Sequence, residues 1–265
     1  MIRFVILGSG SGGNSAVVEC GKTRLLVDAG LSAKQIILRL AQVGIPPETL
    51  AGILLTHEHG DHVRGLKTFL SKYPLPVYAT NRTAQVVREM ITGSTWRTFE
   101  SGTEFLIGEI TIRSFTVHHD AVDPVGFVLE YATRRFGFVS DAGHVTRSMI
   151  DSLRDLHVLF IEANYDDDLL MLDTKRPWAT KQRISSRHGH LSNSQVEELL
   201  REISHPALRR VVLGHLSSDC NKPDLVLGRL TACVAALGHT VSLHCAIQEA
   251  PTEWFDCMMD RPAMA

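Results

Sequence analysis

Residues 54–66 read LLTHEHGDHVRGL, so positions 57–62 gather three histidines, a glutamate and an aspartate directly behind a run of aliphatics. His57, His59, Asp61 and His62 form the pattern H-x-H-x-D-H. On a strand, residues i and i+2 share a face, so His57 and His59 are expected side by side, with a helix start turning Asp61 and His62 toward them. Neutral imidazoles and carboxylates are ligands for zinc, and they also suit manganese or iron. The competing reading, a solvated polar turn, suits two histidines better than this ordered set.

The same arrangement recurs along the chain. Asp28 ends LLVDAG, His119 ends FTVHHDA, Asp141 ends FGFVSDAG and His215 ends RVVLGHLS. Each is a ligand-type residue placed where an apolar strand stops. A lone aspartate after a strand is usually a turn or cap residue, but four such coincidences point to one edge of a sheet assembly.

The elements that must carry these residues follow from periodicity. IRFVIL, SAVVEC and TRLLVDAG read as strands, the last two joined by the turn GK. Ser32 and Gln35 make a capping pattern ahead of a helix expected over about 33–43. GILLT is a short strand, and VRGLKTFLSKY places Val63, Leu66 and Leu70 on one helical face. Further strands are expected in TEFLIGEITIRSFTVHH, VGFVLEY, RRFGFVSDAG, VLFIEA, RVVLG and TVSLHC, and helices at 146–154, 193–203 and 223–237. No internal repeat or long linker interrupts the pattern, so residues 1–265 are expected to form one domain of helices layered on packed sheets.

Composition narrows the setting. The 265 residues are 44% hydrophobic with a net charge of −2, so no global basic field advertises a polyanion. Five scattered cysteines without a C-x-x-C pair fit neither a disulfide scaffold nor a cysteine zinc site. No run reaches about 18 apolar residues, the length of a membrane span. A cytoplasmic chain with no membrane association is expected, while oligomeric state is left open.

Gly8, Gly10 and Gly13 match a dinucleotide fingerprint, but NSAVVEC behind them reads as a strand, where that fingerprint needs a helix. The segment 175–190, KRPWATKQRISSRHGH, carries Lys175, Arg176, Lys181, Arg183 and Arg187 with Trp178 and no acid. It is expected either to grip a phosphodiester backbone, with Trp178 stacking on a base, or to be an exposed loop paired with Asp166, Asp167 and Asp168. Arg183 is the leading candidate for a phosphate contact.

The series Asp28, His57-x-His59-x-Asp61-His62, His119, Asp141, His215 resembles, in order, the motifs of the metallo-β-lactamase superfamily. The resemblance implies an α+β fold, an αββα four-layer sandwich of two mixed sheets face to face with helices outside. It also implies two divalent ions, zinc or manganese or iron. By that resemblance His57, His59 and His119 hold one ion, Asp61, His62 and His215 the other, Asp141 bridges them, and Asp28 orients ligands by hydrogen bonds. His118 is then a neighbour of the centre. GSGSGGNS, IEAN, GHLSN and LGHLSSDCN are similar to the YycJ/WalJ exonuclease-like branch, and more distantly to ribonuclease Z. This implies a DNA exonuclease working 5′ to 3′, with DNA favoured over RNA, and Asp61, Glu162 and His190 in catalysis. Glu162 and His190 assist the leaving group, and Asn164, Ser217 and Asn221 join the substrate rim with Arg176, Trp178, Lys181 and Arg183. The sequence departs from the branch at Tyr165, where it commonly has histidine, and at Cys220 before Asn221. The alternative is hydrolysis of a small cyclic or simple phosphodiester, with a thioester or lactam further behind. A non-catalytic protein keeping the fold should have lost ligands, and all seven are present.

Overall fold

A computed structural model describes residues 1–91 and 93–257. The chain begins as an antiparallel meander of Ile2–Gly8 (β1), Ser15–Cys20 (β2) and Thr23–Val27 (β3). Gly21, at φ 59°, closes the tight β2–β3 turn, a backbone shape that side chains resist. Gly52–Leu54 (β4), Val77–Thr80 (β5) and Trp96–Phe99 (β6) extend the sheet in parallel.

The second sheet starts with the hairpin Glu104–Ile107 (β7) and Ile110–Thr116 (β8), followed by Val125–Tyr131 (β9) and Arg134–Val139 (β10). Val158–Glu162 (β11), Arg210–Gly214 (β12) and Ser242–Cys245 (β13) add in parallel. Phe255–Asp256 (β14) returns to flank β1, so each sheet has seven strands among the described residues. The sheets meet face to face through a shared core in which Phe4 of β1 stacks on Phe136 of β10, ring centroids 4.3 Å apart. Apolar side chains on both inner faces are what force this pairing, since each sheet leaves a continuous hydrophobic face to bury.

Helices cover the outer faces. Ala33–Gln42 (α1), Gly60–Val63 (α2), Leu66–Lys72 (α3) and Asn81–Arg88 (α4) lie on the first sheet's side. Arg147–Ser152 (α5), Asp167–Leu172 (α6), Trp178–Ile184 (α7), Asn193–Ile203 (α8) and Pro223–Ala235 (α9) follow, with α5, α8 and α9 packed on the second sheet. The αββα expectation therefore holds. Ser32 caps α1 by accepting from Gln35 N at 3.3 Å, but the Gln35 side chain turns to Arg39 instead of completing the box. The complete box is at α8, between Ser192 and Gln195.

Of the carboxy-terminal apolar residues, Phe255 enters the inter-sheet core, and Trp254 packs with the α1 side while its indole N–H donates to Val43 O. Both cover a core edge; Met258 and Met259 lie outside the described residues.

Candidate metal centre

The centre forms where strands of both sheets end. β4 stops at Leu54, and His57 and His59 sit in the following turn, not on the strand as their spacing suggested. The turn is shaped from behind by Asp28, whose carboxylate accepts from Thr56 N (2.9 Å) and Thr56 Oγ1 (2.8 Å). His59 then starts α2, which places Asp61 and His62 in one short helical turn. His62 Nδ1 donates to Asp28 Oδ2 at 2.7 Å, which leaves Nε2 with its lone pair toward the centre. Asp28 is thereby hydrogen-bonded to both Thr56 and His62.

The second sheet supplies the facing groups. His119 Nδ1 donates to Gly189 O at 2.8 Å, so its Nε2 points inward, 3.2 Å from His59 Nδ1. Asp141 lies between the groups: Oδ2 is 2.7 Å from His62 Nε2 and 3.3 Å from His57 Nε2, while Oδ1 touches His215 Nδ1. His215 Nε2 is 3.5 Å from Asp61 Oδ2. Asp28, Asp141 and His215 all take left-handed backbone, φ 58°, 49° and 52°. That region is uncommon for residues with a side chain and carries strain.

Donor atoms gather into sets within 4.8 Å of one another: His57, His59 and His119; then Asp61, His62, Asp141 and His215; and Asp141, Glu162, His190 and His215. A metal fits the first two sets. His57 Nε2 and Asp141 Oδ1 are buried without a well-formed hydrogen bond, and imidazole rings crowd to centroid separations of 4.1 Å (His57–His62) and 4.7 Å (His57–His59). Converging lone pairs of this kind are costly to bury bare and suited to a cation.

Electrostatics point the same way. Burial, helped by the nearby His62 charge, pulls His57 down to about 4. Burial also opposes charge on His62, but the Asp141 and Asp28 carboxylates outweigh it and lift His62 to about 10. For Asp61, burial acts upward, and the His215 hydrogen bond and His62 charge overcome it, holding the carboxyl well below its usual range. Asp61 is ionised and His57 neutral at pH 7, as metal ligands are, whereas His62 and His215 in the metal-free protein hold protons against the surrounding carboxylates that a bound cation would displace.

Glu162 is fully buried at the end of β11. It accepts from Ala142 N (2.5 Å) and Leu191 N (3.1 Å), and its Oε2 is 3.0 Å from His190 Nδ1. Burial opposes a charge on His190, but the Glu162 and Asp141 carboxylates together outweigh it and raise it to about 9. The pair expected from the sequence is therefore assembled beside Asp141.

A cavity of about 440 Å³ opens over the centre, lined by His59, Asp61, His119, Asp141, His190 and His215. Asn164 and Ser217 also line it, Asn164 Nδ2 donating to His215 O. Arg176 and Arg183 line it too, though each is already paired, Arg176 with Asp173 and Asp219, Arg183 with Asp120. Asp166, considered as a partner for these cations, instead caps α6.

Three expected rim residues are placed elsewhere. Lys181 is buried, its ammonium donating to Met171 O at 2.8 Å, because α7 turns that position inward. Asn221 is buried between Ala163 O and Asn193 and serves to hold the loops. Trp178 is exposed at the start of α7, outside the cavity lining.

Sequence reasoning passed over Asn14 and Arg64. Asn14 Nδ2 is 3.2 Å from His62 Nε2 and 3.4 Å from Asp61 Oδ2, and its Oδ1 accepts from Gly10 N. The signal was an asparagine closing the glycine loop. Arg64 lines the cavity two residues beyond His62, its guanidinium donating to Gly12 O at 2.9 Å. The glycine loop is no dinucleotide site: it leads into β2, and the N–H groups of Ser9, Gly10, Gly12 and Gly13 are taken within the protein.

An αββα sandwich with a histidine–aspartate centre at one edge defines a metallo-β-lactamase-type fold. Residues 23–216 match the Beta-lactamase superfamily domain, and the chain belongs to that family. It is 37% identical over 228 residues to Exodeoxyribonuclease WalJ of Streptococcus pneumoniae serotype 2 (strain D39 / NCTC 7466), 84% of each chain being covered. To Exodeoxyribonuclease YycJ of Bacillus anthracis it is 33% identical over 227 residues, covering 84% of this chain and 86% of that one. The metallo-beta-lactamase fold protein YhfI of Bacillus subtilis superposes with a TM-score of 0.72 at 15% identity, over 96% of this chain and all of that one. Among the described residues no helix is long and apolar enough to cross a membrane.

Proposed function

We propose that the chain, acting as one domain over residues 1–265, is a metal-dependent exonuclease that hydrolyses DNA phosphodiesters from the 5′ end. The observation that carries this reading is the conjunction of two adjacent donor sets, with Asp141 in one and 3.3 Å from His57 of the other, and the Glu162–His190 pair beside them, in a chain 37% identical to an exodeoxyribonuclease. His57, His59 and His119 would hold one divalent ion, Asp61, His62 and His215 the other, and Asp141 both. Zinc, manganese and iron all suit these donors. Bound there, the ions supply an acidified water and neutralise charge on the phosphoryl oxygens. Glu162, with Asp141, keeps His190 protonated at neutral pH, so His190 can pass a proton to the departing oxygen, a contribution of about 10²- to 10⁴-fold. Arg64, whose charge has no carboxylate partner among the described residues, is positioned to steady a phosphate. The unpaired cysteines suit a reducing compartment, and we place the protein in the cytoplasm.

The pairing of Arg176 and Arg183 with carboxylates favours a second reading, hydrolysis of a small cyclic or simple phosphodiester. One assay separates them: 5′-phosphorylated single-stranded DNA offered with zinc or manganese, with Asp61→Ala as control. Progressive nucleotide release that the substitution abolishes is expected. Turnover of a small aryl phosphodiester without any DNA cleavage would move the assignment to the second reading.

A further inference from the structure

Of the seven histidines outside the centre, three stand together. His118 follows β8, His144 lies between β10 and α5, and His188 lies between α7 and α8. Each is one to three residues along the chain from a group of the centre: His118 beside His119, His144 beyond Asp141, His188 before His190. In the extended segment at 118–119, successive side chains alternate, so His119 is buried toward the centre and His118 is exposed on the reverse side. The rings of His118 and His144 have centroids 4.7 Å apart, those of His118 and His188 5.9 Å. Backbone bonds hold the three loops in register, Gly143 N to His118 O at 2.6 Å and Asp120 N to His188 O at 3.0 Å.

The tautomer of His144 is fixed as that of His119 is. His119 Nδ1 donates to the carbonyl of Gly189, and His144 Nδ1 donates to the carbonyl of Arg187 at 3.0 Å. A carbonyl can only accept, so Nε2 of His144 keeps its lone pair, the arrangement that prepares an imidazole for a metal. Among the described residues the His118 and His188 rings have no hydrogen-bond or ion-pair partner. The three rings are not drawn as close as the donors of the inner centre, but His118 and His188 are exposed, so rotation about their side-chain bonds can aim a nitrogen of each at a common point roughly 2.0–2.1 Å away, the length of a zinc–imidazole bond.

We infer that His118, His144 and His188 form a second, outer site for a borderline divalent cation, of which zinc is the type, distinct from the inner centre and built on the reverse side of the same loops. Three neutral imidazoles with a fourth position open to solvent are a ligand set that zinc accepts. The test counts zinc after gel filtration of the intact protein from excess zinc. The wild type is expected to retain one equivalent more than His118→Gln/His188→Gln, whose changes lie on the surface. His144→Gln should lose the same equivalent, with far-ultraviolet circular dichroism confirming its fold. Cobalt(II) titration should show imidazole-site absorption bands in the wild type that these variants lack. Equal zinc retention in all three proteins, or an extra equivalent lost from all on filtration, would overturn the proposal. So would weakened oligonucleotide binding in chelator with an unchanged zinc count, which would assign the histidines to the substrate surface. No outcome depends on which substrate the enzyme cleaves.

Discussion

In the proposed mechanism Glu162 acts through His190, and that relation is testable at a single residue. A group raised to about 9 in the folded protein loses its proton as pH rises through that value. A step needing protonated His190 should therefore slow above pH 9. Removing the Glu162 carboxylate takes away one of the two charges that raise His190, leaving Asp141 alone against burial, which lowers it. Glu162→Gln is thus expected to shift the alkaline limb of the kcat profile to lower pH and to cut kcat by about 10²- to 10⁴-fold, with metal content unchanged. An alkaline limb that does not move would dissociate Glu162 from the proton. The ligand-type residues were legible from spacing because histidine and aspartate at strand ends have few other reasons to recur. Lys181 and Asn221 misled for a reason that spacing cannot show, since the turn of α7 aims Lys181, and the loop ahead of α9 aims Asn221, at a backbone carbonyl and away from the cavity.

At the scale of elements, the turn bearing His57–His62 is positioned by its neighbours more than by its own hydrogen bonds. Ala29 N donates to His62 O and Asn14 N to Asp61 O, both at 2.8 Å, so the β3–α1 loop and the glycine loop clasp α2 from behind. Gly30 permits this approach: a Cβ there would sit 1.5 Å from Asp61 O. Gly30→Ala should push Asp61 and His62 out of place, costing about 1–3 kcal/mol of stability and lowering metal affinity, measurable by denaturation and by metal content in parallel. Normal metal content in a stable variant would show that the clasp is dispensable. The longer elements, such as α1, α8 and α9, were readable from periodicity. The four-residue strands β5 and β6 and the short helices α4, α6 and α7 were not, because each completes only about two repeats of its pattern. The basic segment 175–190 hid a helix for the same reason.

For the whole molecule, the decisive fact is that the donors come from both sheets. Asp28 and the His57–His62 turn leave the first sheet, while His119, Asp141, Glu162 and His215 leave the second. Metal held between them ties the two sheets at the edge where carboxylates and imidazoles would otherwise face one another. Ligand present at 100 to 1,000 times its Kd adds about 3–4 kcal/mol, and for a chain of this size each kcal/mol moves Tm by roughly 2–4 °C. Stripping the metal with chelator should lower Tm on the order of 10 °C, and restoring zinc or manganese should recover it. A Tm indifferent to chelation would mean that the sandwich is held by its apolar core alone.

The left-handed backbone at Asp28, Asp141 and His215 has a practical consequence for making tools from this protein. Asparagine is among the side chains that this conformation tolerates best, so Asp141→Asn and His215→Asn should fold about as well as the parent, whereas alanine at either position removes the polar tip and keeps the steric burden. A catalytically silent protein that preserves the mouth of the cavity is what is needed to capture a bound strand and sequence it. If Asp141→Asn melts within a few degrees of the metal-free parent, it can serve as that bait.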